Sequence, residues 1–271
     1  MLKNNLAIRV ATAVVALPVL LWLLFSAPHW GWYLLVLAAC CTGAAELFGM
    51  THPRDRVAQS LGILTTASTS AVLYWQGHDA RWLTGLLLVI TMTGVLLPLW
   101  RLGDLHSAGL RLMAGVAGPL YVGALLTTLA LLRRDAGPGF VLLALAFAWL
   151  GDTGGYFFGR FLGKRKLYPA VSPKKTVAGL VGAMVGAGLG GVVIGSTYLH
   201  TVPLHHSVLL AIIAGAAGQL GDLAESLLKR STGIKDSGSI IPGHGGILDR
   251  IDALLLVAPI VYLYVLFWSP V

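Results

Sequence analysis

The fold class predicted by this sequence is an all-α, polytopic transmembrane protein of about nine membrane-spanning helices, and three observations predict it. Only 11% of the 271 residues are charged, whereas 56% are hydrophobic and the mean hydropathy is +0.80. A soluble domain carries about 25% charged residues, so this chain lacks the polar side chains to cover a surface in water. The apolar residues fall in long runs, each near the roughly 20 residues that a helix needs to cross a hydrocarbon core. The cations, finally, are bunched between those runs rather than spread through them.

The runs lie near Leu6 to Phe25, Trp30 to Met50, Val57 to Trp75, Trp82 to Trp100, Leu112 to Leu132, Phe140 to Phe158, Val177 to Leu199, Val208 to Leu228 and Ala253 to Trp268. The first, with Lys3 and Arg9 ahead of it and Ser26 and Ala27 behind, also has the look of a secretory signal. Either reading leaves its amino end in the cytoplasm. With that end inside, every lysine and arginine except Arg81, Arg133 and Arg134 falls on the cytoplasmic side. This is the asymmetry expected of a correct helix count, and it puts the carboxyl end outside. It also accounts for the formal charge of +8 without a nucleic-acid partner.

The second run carries the lone acid Glu46 and the adjacent Cys40 and Cys41, the two cysteines of the chain, which form neither a disulfide framework nor a spaced zinc pair. Glu46 can pair with a neighbouring helix or line a cavity, and its spacing does not choose. Trp30, Trp32, Trp75, Trp82, Trp100 and Trp268 sit at run ends, where indoles settle at the lipid headgroups. In the sixth run Asp152 lies among Gly151, Gly154 and Gly155, read as a glycine-rich break beside a cavity. His200, His205 and His206 fall on the outer side without acidic partners and are read as interfacial.

Charge inside a membrane is costly, so the acids carry the functional information. Of the 11 acids, Asp152, Asp222, Glu225, Asp236, Asp249 and Asp252 surround two long cytoplasmic loops, 159–176 and 229–252. Asp222, Glu225, Ser226 and Lys229 follow the spacing i, i+3, i+4, i+7 and so share one helical face. They form either an intrahelical salt bridge without catalytic role or a polar stripe along a cavity. The second loop interleaves Lys229, Arg230, Lys235 and Arg250 with Asp236, Asp249 and Asp252 and with Gly243, Gly245 and Gly246. Cations neutralise phosphate, glycines let backbone approach it, and carboxylates among them are useful when a divalent ion bridges the phosphates. The first loop carries Lys164, Arg165, Lys166, Ser172, Lys174, Lys175 and Thr176, a pattern that also suits plain contact with anionic lipid.

These residues resemble the phosphatidate cytidylyltransferase (CDP-diacylglycerol synthase) family. Ser226, Lys229, Arg230, Lys235, Asp236, Gly238, Pro242, His244, Gly245, Gly246, Asp249, Arg250 and Asp252 fill its carboxyl-terminal signature without a gap. Asp152, Thr153, Gly154, Tyr156 and Gly159 resemble its D-[ST]-G-x-Y segment, and Ser172, Pro173, Lys175 and Thr176 its S-P-x-K-T segment. Ala178 departs from the pattern, which usually has an acid or amide there.

The resemblance implies that CTP and phosphatidate give CDP-diacylglycerol and pyrophosphate with Mg2+, leaving a second metal ion open, and that Asp222 and Asp249 hold the metal. Catalytic roles are expected for Ser226, Lys229, Arg230, Lys235, Asp236, His244, Arg250 and Asp252. Substrate binding is expected of Asp152, Ser172, Lys174, Lys175, Thr176, Gly243, Gly245 and Gly246. The organisation expected is an amino-terminal helical region, 1–135, and a catalytic region, 136–271, in a bacterial inner membrane with the site facing the cytoplasm. Membrane lipid is a partner, and the resemblance allows a homodimer. The rival readings are another CTP-dependent lipid enzyme, such as a polyprenol kinase, and an ion-coupled transporter using Asp152, Asp222 and Glu225.

Overall fold

The computed structural model describes residues 2–200, 202–238 and 245–268, with side chains from residue 14 onward. Each of the nine apolar runs is helical. Among the described residues, six helices are long and apolar enough to cross a membrane: His29–Thr51, Ala80–Trp100, Ala108–Asp135, Pro138–Leu162, Val177–Thr197 and Leu204–Ser231. The protein is a polytopic helical membrane protein. Leu254–Trp268 is a shorter apolar helix.

The chain forms two compact units, one of Met1–Ala130 with Asp236–Asp249, the other of Leu131–Lys235 with Arg250–Val271. Residues 236–249 of the second long loop group with the first unit.

In the first unit, α1 (Leu2–Phe25), α2 (His29–Thr51), α3 (Arg56–Gln76), α4 (Ala80–Trp100) and α5 (Ala108–Gly118) lead through a π-helical turn, Pro119–Ala124, into α6 (Leu125–Asp135). Asp55 caps α3 by accepting from the Ala58 N–H at 3.2 Å, and its carboxylate takes the Arg101 guanidinium at 2.9 Å. Packing between α4 and α5 is backbone on backbone: a Cβ on Gly94 would stand 2.7 Å from the Gly115 carbonyl carbon. Small residues permit such approach between membrane helices, where dispersion rather than water drives association. Trp32, read above as a headgroup anchor, is instead buried, and its indole N–H donates to the Leu129 carbonyl at 3.1 Å. A buried indole requires that acceptor, and the two-residue step from exposed Trp30 to Trp32, about 200° of helix, turns Trp32 to the inner face. Trp30, Trp75, Trp82, Trp100 and Trp268 are all exposed, as anchors require.

In the second unit, α7 (Pro138–Leu162), α8 (Val177–Thr197), α9 (Leu204–Ser231) and α11 (Leu254–Trp268) pack together. The short α10 (Leu248–Ile251) is divided between the units, with Leu248 and Asp249 in the first. A hairpin that the sequence reading did not anticipate, β1 (Lys166–Tyr168) paired antiparallel with β2 (Ser172–Thr176), fills the first long loop. The glycine-rich break expected around Asp152 is absent, because α7 runs unbroken through it. Those glycines serve close packing: a Cβ on Gly154 would strike the Gly182 carbonyl, and one on Gly186 the Leu150 carbonyl. The contact of α7 with α8 is therefore set by atoms that are missing.

Candidate active site

The long helix α9 carries Asp222, Glu225, Ser226 and Lys229, and their contacts are not a simple intrahelical ladder. Lys229 Nζ pairs with Glu225 Oε2 at 2.5 Å, one turn away, whereas Asp222 Oδ2 takes Lys175 Nζ from β2 at 2.8 Å. Ser226 Oγ donates to Asp222 Oδ1 at 3.3 Å. Glu225 is buried at 1% exposure, so its charge demands the ammonium beside it.

Asp252 lies just before α11, and its carboxylate accepts from the Ala253 N–H at 2.8 Å. One ligand atom from each of Asp222, Glu225 and Asp252 lies within 4.8 Å of the others. Burial, reinforced by the Asp222 carboxylate, pushes Asp252 up to about 7. Three carboxylates gathered so closely repel one another unless cations intervene. An all-oxygen donor set of this kind suits a hard divalent ion such as Mg2+, so these residues fit the metal that the resemblance implies.

Beside this cluster a cavity of about 490 Å³ is lined by Asp152, Ser172, Lys174, Lys175, Thr176 and Asp222, together with Gln219 and Arg160. The hairpin thus places four residues expected to bind substrate, Ser172, Lys174, Lys175 and Thr176, on one cavity with Asp152 of α7. Lys175 Nζ also donates to the Gln219 carbonyl at 3.0 Å, and Gln219 Nε2 to Asp152 Oδ1 at 3.3 Å. Gln219 is a cavity residue that the sequence reading missed; its place three residues before Asp222 on the same face was the available signal. Thr176 does local work as well, capping α8 by accepting from the Gly179 N–H at 3.0 Å. Ala178 sits half-buried in the first turn of α8.

Beyond α9, Gly233 at φ +75° ends the helix, and Arg230 donates to the Ile234 carbonyl at 3.2 Å. Lys235, Asp236 and Arg250 are exposed. Gly243 and His244 lie outside the described residues.

The first unit holds the remaining signature residues. Asp249 Oδ2 accepts from the Ser237 N–H at 3.1 Å, the Ser237 hydroxyl at 3.0 Å and the Gly246 N–H at 3.1 Å. Gly245 adopts φ +83°, a conformation that a side chain would strain. Glu46, whose role the sequence left open, is drawn into this same segment.

A model of the family described as "Cytidylyltransferase family" matches residues 7–268. Over 280 aligned residues the chain is 35% identical to the phosphatidate cytidylyltransferase of Brucella suis, covering 96% of this chain and 93% of that one. It is 46% identical over 127 residues to the phosphatidate cytidylyltransferase of Staphylococcus saprophyticus, and 44% identical over 127 residues to that of Staphylococcus haemolyticus. The match spans about half the length of each staphylococcal relative, 49%. A lysine-flanked cavity and a carboxylate cluster on membrane helices, within a match that runs almost end to end, lead to one conclusion: the chain belongs to the cytidylyltransferase family.

Proposed function

We propose that this protein transfers the cytidylyl group of CTP to phosphatidate, releasing pyrophosphate and leaving CDP-diacylglycerol in the bilayer. The observation that carries the reading is the Lys175–Asp222 pair, which joins a cationic cavity to a three-carboxylate cluster on a membrane-helix scaffold. Both reactants are anionic, so repulsion is the main barrier and positioned cations are the main remedy. A phosphate oxygen of phosphatidate attacks the α-phosphorus of CTP, and the bond from that phosphorus to the bridging oxygen breaks as pyrophosphate leaves. No general base is needed, because a phosphate monoester has a second pKa of about 6 and is largely deprotonated near neutrality.

Asp222, Glu225 and Asp252 would hold the Mg2+, which when bound supplies charge neutralisation to the triphosphate. The signature assigns Asp249 to the metal as well, and that part of the proposal rests on the sequence. Lys174 and Lys175 bind phosphate oxygens along the cavity, and Ser172 supplies a hydroxyl donor. Lys175 is shared between Asp222 and the substrate phosphates, so one ammonium serves both partners. Lys229, Arg230, Lys235 and Arg250 are assigned to phosphate oxygens, with Ser226 orienting Asp222. The cation distribution supports a site facing the cytoplasm, and the bacterial relatives support an inner-membrane location. A homodimer is expected by resemblance alone.

The test is purified protein with phosphatidate, Mg2+ and CTP labelled in the cytidine ring, resolved by thin-layer chromatography. Label in the lipid fraction supports the proposal. Ring label that stays aqueous, with label from γ-phosphate-labelled CTP passing to an added polyprenol in a parallel reaction, would establish a kinase instead.

A further inference from the structure

We infer that Glu46 is a positioning residue for the signature segment, bracing Ser237, Ile247 and Leu248 and, through the Ser237 hydroxyl, setting the side chain of Asp249. The inference rests on the reading above that this segment serves cytidylyl transfer.

Glu46 lies on α2 at 7% exposure, inside an apolar helix where a carboxylate is expensive. Among the described residues its donors all come from the signature segment. Oε1 accepts from the Ile247 N–H at 2.9 Å, and Oε2 from the Leu248 N–H at 2.9 Å and the Ser237 hydroxyl at 2.8 Å. The Ser237 oxygen stands 2.8 Å from Glu46 Oε2 and 3.0 Å from Asp249 Oδ2, yet a hydroxyl has one proton to donate. Two carboxylates therefore share that proton, and a change in one is felt by the other.

The glycines of the segment fit the same account. A Cβ on Gly238 would stand 2.6 Å from Glu46 Oε1, and one on Gly246 would strike both Ser237 Oγ and Glu46 Oε2. These two positions lack side chains so that the carboxylate of a distant helix can enter the segment. A pure packing role would be filled more cheaply by a hydrocarbon, since burying charge costs stability.

Wild-type protein, E46Q and S237A, each in detergent, test this in two ways. By hydrogen exchange, peptides spanning 245–252 should exchange about tenfold faster in E46Q, while peptides from α7 and α9 keep their wild-type rates. In steady-state kinetics both variants should lose about tenfold or more in kcat with the KM for CTP within about threefold, as supporting partners of a reacting group do. The double variant should fall no further than the worse single one, because both act on one proton. Unchanged exchange in E46Q, or kcat losses that multiply in the double variant, overturn the inference. If E46Q does not fold, S237A decides alone, and a wild-type kcat in it is a refutation. Wild-type protein that forms no CDP-diacylglycerol would sink the parent reading, and the exchange measurement would then decide the brace by itself.

Discussion

In the unit built on α2 to α5, the buried Glu46 is met by two backbone N–H groups and a hydroxyl, all neutral. In the unit built on α7 to α9, Asp222 and Glu225 are met by the ammonium groups of Lys175 and Lys229. The difference is one of duty. Backbone donors are fixed by the fold, so Glu46 is a brace whose charge is spread over partners that stay in place. An ammonium sits on a long flexible stem and can exchange one oxygen for another, so Asp222 keeps the capacity to take a ligand when Lys175 turns away. An acid held by fixed neutral donors reads as architecture, and one held by a movable cation, as half-buried Asp222 is by Lys175, reads as a candidate for chemistry.

Asp222→Asn tests that distinction most severely. It should cut CDP-diacylglycerol formation on the order of a thousandfold or more while the protein keeps its wild-type elution in size-exclusion chromatography. Near-normal turnover would return Asp222 to the structural class. Gly154→Val should act on folding instead: the new side chain meets the Gly182 carbonyl, and overpacking of this kind costs about 1–3 kcal/mol. The expected readout is a lower midpoint of thermal unfolding in detergent, and an unchanged midpoint would show that α7 and α8 can separate freely. Lys175→Met removes the cation shared by Asp222 and the cavity, and should lower kcat/KM for CTP about tenfold to a hundredfold. Equal kinetics in Lys175→Met and wild type would deny that the hairpin serves the site. Thr176→Ala removes the α8 cap and should cost about 1 kcal/mol of stability, with a smaller effect on rate than Lys175→Met. Smallest of all is Arg101→Gln: its pair with Asp55 is 39% exposed on the arginine side, and such pairs contribute about 0.2–1 kcal/mol. A midpoint shift larger than that of Thr176→Ala would reverse this ranking.

How far each feature could be read in advance follows from the range of the interaction behind it. The nine apolar runs and the shared face of Asp222, Glu225, Ser226 and Lys229 were legible because hydrophobicity and the 3.6-residue period act over one turn or one run of chain. Trp32 was misread because its position at a run end is a local fact, while its acceptor on Leu129 is 97 residues away. The glycines near Asp152 were misread for a related reason. A glycine cluster can mark a broken helix or a close helix pair, and only the partner α8 distinguishes the two.

By itself, then, the sequence determined the solvent of this protein, the location of its helices and the chemical character of its signature loop, since these depend on composition and on neighbours a few residues apart. Tertiary structure alone decided that Lys175 would reach Asp222, that Gln219 would join the cavity with Asp152, and that Glu46 would enter a segment 201 residues further along at Ile247. Those pairings depend on which helices pack side by side, and no periodicity in a single chain encodes that directly.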